Sequence, residues 1–231
     1  MKILFILDHY YPYVGGAEVL FKHLCEGLAK HSDNFEITVI TTRPVGTPKF
    51  ETINGVKIHR VGFVGRYLFA LTAWIKALPL AKKADAIHTS SLISAIPAII
   101  TSWISKKPIS ITVHEAWGDF WDKIPGATFF HKKLEKWLFE RRFKNYACVS
   151  KNTADALQKI ISKPSHLINV IYPGIDHNLF NCAAYSPDWL KTKYDLNDKF
   201  VFLFFGRPVV SKGAENLVWA WREFCANNAI I

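Results

Sequence analysis

Lys2-Ile3-Leu4-Phe5-Ile6-Leu7-Asp8, continued by His9-Tyr10-Tyr11-Pro12-Tyr13-Val14-Gly15-Gly16-Ala17-Glu18, is the stretch whose reading decides the fold. The apolar run is short and is broken at once by Asp8 and His9, with no small-residue cleavage site after it, so it reads as a buried strand rather than a secretory leader. A strand that is apolar at successive positions, not alternate ones, is buried on both faces, as in a parallel sheet. From Gly16 the spacing turns helical and runs to Lys30. Gly15 and Gly16 lack Cβ atoms, so backbone N–H groups at the start of that helix can approach an anion, where the helix dipole also favours negative charge. The competing reading is that they only turn the chain. No GxGxxG is present, so this is not a dinucleotide fingerprint.

Outward from that unit, apolar β-branched runs alternate with helical periods, the pattern of a sheet covered by helices on both faces. Strands are expected at Glu36–Thr42, Gly55–Val61, Asp85–Thr89, Ile109–His114, Tyr146–Val149 and Leu167–Ile171. Helices are expected at Arg66–Ala81, Ser94–Ser105 with Pro97 in its first turn, Phe129–Phe143 and Lys151–Ile161. The fold class is α/β, a Rossmann-like parallel sheet over residues 1–172. Residues 173–199, with turn chemistry at Tyr172-Pro173-Gly174-Ile175-Asp176 and a short polar helix near Pro187–Lys193, read as a connection. Residues 200–231 read as a strand (Phe200–Phe205), a loop (Gly206–Gly213) and a helix (Ala214–Cys225), the first βα unit of an incomplete second domain.

Composition narrows the function. Of 231 residues, 50% are hydrophobic and 21% charged, which describes a packed protein and not a disordered one. The net charge of +10 favours an anionic partner. Cationic residues are scattered over several elements and no nucleic-acid-binding motif appears, so nucleic acid is not the expected partner. Cys25, Cys148, Cys182 and Cys225 lie far apart without metal-ligand spacing, which suggests reduced thiols in a cytoplasmic protein and no metal site.

A second phosphate-directed constellation is Phe205-Gly206-Arg207-Pro208-Val209-Val210-Ser211-Lys212-Gly213, which stands between an apolar run and a helix. Arg207 offers a planar fork to phosphate oxygens and Lys212 a point charge, a pairing suited to a diphosphate. The alternative is a solvated basic turn.

Taken in order, Tyr-Pro with Gly15-Gly16-Ala17-Glu18, then Val170-Ile171-Tyr172-Pro173-Gly174-Ile175-Asp176 with Phe180, then Gly206-Arg207 with Lys212-Gly213, the chain resembles GT-B glycosyltransferases of the family-4 type. The resemblance implies an N-terminal, acceptor-side domain and the start of a donor domain. It implies a retaining transfer from a nucleotide-sugar, with no metal and no cofactor, to an envelope-glycan or lipid-linked acceptor. It gives His114, at the end of a strand, the position of a histidine that approaches the transferred sugar; a lone His there is otherwise an ordinary structural residue. Glu115 stands where many relatives have Asp, and Glu115 and Asp119 are acceptor-side candidates. Gly15, Gly16, Arg207 and Lys212 are expected to hold the donor phosphates, with His114, Arg207 and Lys212 in the catalytic set.

The resemblance places a Glu-x7-Glu segment that contacts the donor later in the donor domain, after the last residue of this sequence, Ile231. The alternative to an enzyme is therefore a non-catalytic acceptor-binding or partner subunit, with a separate C-terminal donor domain as partner. An epimerase of related architecture is a third reading, set aside because the glycine signatures look like those of the transferases.

Two segments, Arg66–Lys83 and Phe130–Lys144, are basic and amphipathic. Each apolar face is expected to pack on the sheet with its basic face solvated. Peripheral attachment to an anionic membrane on its inner face is the second expectation.

Overall fold

The computed structural model describes the chain apart from residues 32–33, 63–64, 125, 127, 182, 184, 207–211 and 228–231. It divides into two compact units, Met1–Gly174 and Ile175–Ile231.

In the first unit, β1 (Lys2–Ile6) leads to α1 (Gly16–His31) and β2 (Glu36–Thr42), and a hairpin follows of β3 (Phe50–Ile53) and β4 (Val56–Val61). Next come α2 (Arg66–Lys83), β5 (Ala86–Ser90), α3 (Ser91–Ser105) and β6 (Ile109–Val113). A 3-10 turn at Gly118–Lys123, α4 (Phe129–Phe139), β7 (Asn145–Cys148), α5 (Lys151–Ile160) and β8 (Ile168–Val170) complete it. The strands form one sheet in the order β3-β4-β2-β1-β5-β6-β7-β8. Every pairing is parallel except that of β3 with β4.

β1 shows why the opening run is apolar at every position. Leu4 and Ile6 enter one core with Phe69, Ala73 and Ala77 of α2, Ala95 and Ala98 of α3, Leu138 of α4 and Leu157 of α5. Phe5 and Leu7 point the other way, into a smaller core with Phe21 and Cys25 of α1. The expected α/β sheet with helices on both faces is thus present. Its helices are shared unequally, because among the described residues α1 alone lines the second core.

Several elements depart from expectation. The β3–β4 hairpin turns at Asn54 (φ 48) and Gly55 (φ 83), the left-handed pair that a two-residue hairpin loop requires, so a strand precedes Gly55 where none was expected. Helix α3 begins at Ser91, which puts Pro97 inside the helix and not in its first turn. Helix α4 stops at Phe139 rather than Phe143, where the Tyr146 hydroxyl donates to the Phe139 carbonyl at 2.5 Å and takes the acceptor a further turn would use. In α2 an apolar face packs on the sheet as expected, through Phe69, Ala70, Ala73, Ala77 and Ala81, but Tyr67, Leu68, Leu71 and Ile75 lie outside it and are exposed.

The second unit holds α6 (Asp188–Tyr194) and α7 (Ala214–Asn227). Phe200–Phe205 forms no strand: among the described residues it has no ladder partner, and its side chains, Phe205 above all, are exposed. An isolated strand leaves its backbone N–H and C=O groups without ladder partners, so apolar sequence alone does not produce one. At the start of the unit Asp176 Oδ1 accepts the amides of Asn178 (2.9 Å) and Leu179 (3.2 Å), closing a local turn.

Candidate functional site

The sheet reverses direction of winding at β1. From it the chain passes through α1 to β2 on one side, while β5 and β6 continue on the other. Loops at the carboxyl ends of β1 and β5 therefore diverge and leave a crevice, the place where open α/β sheets bind ligands.

The loop after β1 is fastened from below. Thr42 Oγ1 donates to the Asp8 carbonyl at 2.6 Å, and Ser94 Oγ to Asp8 Oδ1 at 3.3 Å. Arg60, buried on β4, donates from Nη2 to the Tyr11 carbonyl at 2.8 Å and pairs through Nη1 with Glu51 of β3. A buried guanidinium shared in this way fixes the loop that presents Gly15 and Gly16, because an unpaired charge there would be costly.

The two glycines are not equivalent. A Cβ on Gly15 would lie 2.3 Å from Oε2 of Glu18, whose carboxylate folds back against it. Around Gly16 no atom of the described residues, apart from its chain neighbours and the helix's own backbone, lies within 4 Å of that position, so the exposed start of α1 is open to close approach there.

His114 follows β6 directly. Its ring meets Phe21 of α1 edge-on at 5.9 Å, so the first turns of α1 and the end of β6 share one side of the crevice. Burial pulls the His114 pKa below the ordinary imidazole value, against the opposing pull of the Glu115 and Glu18 carboxylates. Its Nε2 is buried without a hydrogen-bond partner among the described residues. Glu115 beside it is exposed.

A residue outside the sequence expectation sits beneath His114. His88 of β5 is in register with Phe5 on one side and Ser110 on the other. Its Nδ1 lies 2.8 Å from Ser110 Oγ and its Nε2 2.8 Å from Thr112 Oγ1. Burial, with His114 adding to it, pushes its pKa down to about 4. A neutral imidazole donates from one nitrogen and accepts at the other, and hydroxyl partners satisfy both. No motif spacing marks such a residue; only the strand register does.

Asp119 is exposed and forms an ion pair with Lys132 at 2.6 Å, which holds its carboxyl below the usual range. It lies on the 3-10 turn at the mouth of a groove of about 540 Å³ between α4 and α5. In the second unit Lys212 is exposed immediately before α7, next to Gly213 (φ 71). Arg207 lies outside the described residues.

Known proteins share this architecture. An uncharacterized glycosyltransferase of Methanocaldococcus jannaschii is 25% identical over 238 residues, covering 95% of this chain and 59% of that protein. Anabaena HepE, in a crystal structure with UDP-glucose, matches with a TM-score of 0.71 at 21% identity over 96% of this chain and 57% of HepE. Sucrose-phosphate synthase from Thermosynechococcus elongatus matches with a TM-score of 0.68 at 17% identity, over 96% of this chain and 59% of its own. The chain thus spans less than two thirds of the length of each. The family model described as Glycosyltransferase Family 4 matches residues 14–179. That match runs from the glycine loop through His114 to the residues beyond β8, taking in most of what frames the crevice, and the chain accordingly belongs to Glycosyltransferase Family 4.

Proposed function

We propose that this chain is the acceptor-side half of a retaining glycosyltransferase, which moves a sugar from a nucleotide-sugar donor to an envelope-glycan or lipid-linked acceptor. The observation that carries the reading is the meeting of α1 and the end of β6, with Phe21 and His114 5.9 Å apart, beside the open backbone at Gly16. A diphosphate oxygen fits against the start of α1, where the first N–H groups of a helix have no intrahelical acceptor and the dipole is favourable. His114, kept neutral by burial, then stands beside the transferred sugar as a hydrogen-bonding group and not as a cation. Arg207 and Lys212 supply the positive charge that stabilises the departing diphosphate as the glycosidic bond breaks. HepE, crystallised with UDP-glucose and with UDP and glucose, supports a nucleotide-sugar as donor.

Among the described residues no helix is long and apolar enough to cross a membrane. The reading places the protein on the cytoplasmic face of an anionic membrane, held peripherally. The outward Tyr67, Leu71 and Ile75 of α2, with exposed Lys76, Lys82 and Lys83, support it.

The test is sugar transfer by the purified chain, alone and with a donor-side polypeptide, using a panel of UDP-sugars and a lipid-linked acceptor, with product configuration read by NMR. A glycoside of retained configuration that is lost in His114→Ala is the expected result. Turnover by the chain alone eliminates the non-catalytic partner subunit. An inverted product overturns retention, and free epimerised sugar nucleotide replaces transfer with epimerisation.

A further inference from the structure

The loop between β6 and α4 is held by a buried charge. Glu135 of α4 is fully buried, and its Oε1 accepts the Trp117 amide at 2.9 Å. Its Oε2 accepts the Gly118 amide at 2.8 Å and the Trp121 indole N–H at 3.1 Å. Taking a carboxylate out of water is unfavourable unless hydrogen bonds replace the lost solvent, and here three do. Gly118 (φ 50) runs so close to α5 that a Cβ would lie 3.1 Å from Cγ1 of Ile160. Trp117 in turn packs 5.5 Å from Phe120 and 5.6 Å from Trp121. The loop is therefore pre-shaped, with its aromatic rings set before any ligand arrives.

This loop walls the groove of about 540 Å³ between α4 and α5, a size suited to a small ligand. The facing walls carry Lys132, Lys133 and Lys136 from α4 and Lys159 from α5. Lys132 is committed to Asp119 and Asp122. Among the described residues, Lys133, Lys136 and Lys159 have no carboxylate at ion-pair distance, and Lys133 stands 4.3 Å over the ring of Phe129. The lining acids are Asp119 and Asp155, so the cations outnumber them. An aromatic wall beside ammonium groups that have no carboxylate at ion-pair distance suits a ligand with an apolar ring face and a negative charge beside it.

We infer that this groove binds an anionic sugar unit of the acceptor. The C–H face of a pyranose ring packs against Phe120 and Phe129, and its carboxylate or phosphate lies among Lys133, Lys136 and Lys159. The inference rests on the acceptor-side reading of the chain and names the acceptor's chemistry. A lipid surface fits less well, because the groove is concave whereas a bilayer meets convex apolar faces such as the outer side of α2.

The experiment is calorimetric titration of the 231-residue chain with tetragalacturonate, singly phosphorylated maltotetraose and neutral maltotetraose at low and high salt. At least one anionic oligosaccharide is expected to bind tenfold or more tightly than the neutral one and to weaken several-fold with salt. The double variant Lys136→Gln/Lys159→Gln is expected to lose that preference with its melting temperature unchanged. The carboxylate and phosphate arms show which charge is read. Equal affinity for the neutral oligosaccharide, or an unchanged preference in the double variant, overturns the inference. Binding to phosphatidylglycerol vesicles through the same lysines, with no oligosaccharide binding, replaces it with a membrane contact. UDP-glucose is titrated in parallel with a donor-side polypeptide added. Its failure to bind while tetragalacturonate still binds counts against the transferase reading and leaves the groove standing.

Discussion

The indole N–H of Trp121 donates to the carboxylate of Glu135 at 3.1 Å, joining the exposed side of a 3-10 turn to the one acidic side chain that α4 sends into the interior. The same carboxylate takes the Trp117 and Gly118 amides, so all three donors require acceptors. In Glu135→Gln an amide NH₂ faces at least one of these N–H groups, and a buried donor is left unsatisfied. The expected loss is about 1–3 kcal/mol of stability, read from the urea midpoint. Hydrogen exchange at Trp117 and Gly118 is expected to quicken with it. An unchanged midpoint with unchanged exchange would show that the carboxylate does not organise the loop.

Gly16 separates stability from ligand approach. It has no positive φ, and a methyl group there meets nothing within 4 Å, so Gly16→Ala is expected to fold normally. A gain of about 0.4–1 kcal/mol is expected from the reduced freedom of the unfolded chain. If a phosphate oxygen comes against this backbone, the added methyl group obstructs it, and UDP-sugar affinity falls at least tenfold in the same variant. Unchanged affinity would mean that the glycine only begins the helix.

The sheet and its first crevice loop were legible because period and turn chemistry are local. The continuous apolar run at Ile3–Leu7 announced a strand buried on both faces, and both cores receive its alternate side chains. The Asn54-Gly55 pair carried the hairpin signal, although the strand before it, with Phe50 exposed, lacks an apolar pattern. Phe200–Phe205 misled for the opposite reason, since apolar residues specify a strand only where another strand supplies the ladder. Glu135 and His88 were invisible because their roles arise from partners 14 and more residues away, Trp121 for one and Ser110 and Thr112 for the other. The lysines of Phe130–Lys144 were noticed as a basic face, but the groove needs α5 opposite them, and that juxtaposition is tertiary.

His88 predicts an acid sensitivity. Unfolded, it takes a proton near the ordinary value of about 6.5. Folded, it resists until about 4, because burial penalises the imidazolium and His114 lies close by. Between those values the unfolded state binds more protons, so stability is kept above pH 6.5 and lost as pH falls toward 4, by on the order of 3 kcal/mol. His88→Gln keeps hydrogen-bonding capacity toward Ser110 and Thr112 but has no proton to gain. Its urea midpoint is therefore expected to fall less steeply than that of the native chain across this window. A slope equal to the native one would assign the acid loss to other groups, among which His59 and His114 are held low by burial as well.

Helix α2 turns its alanines inward and its bulk outward: Ala73, Ala77 and Ala81 are fully buried, while Tyr67, Leu71 and Ile75 are 76%, 67% and 53% exposed. Lys76, Lys82 and Lys83 stand exposed on the same helix. Each large side chain moved from water into lipid gains about 1.5–3 kcal/mol, and each lysine near an anionic surface about 1 kcal/mol. The chain is thus expected to sediment with phosphatidylglycerol vesicles and only weakly with phosphatidylcholine. Leu71→Ser/Ile75→Ser is expected to cut vesicle binding at least tenfold. Its melting temperature should barely move, since surface substitutions usually change stability by no more than about 0.5 kcal/mol. A large fall in melting temperature together with a change in size on gel filtration would show instead that this face is covered by protein, and equal binding to neutral vesicles would remove the lysines from the account.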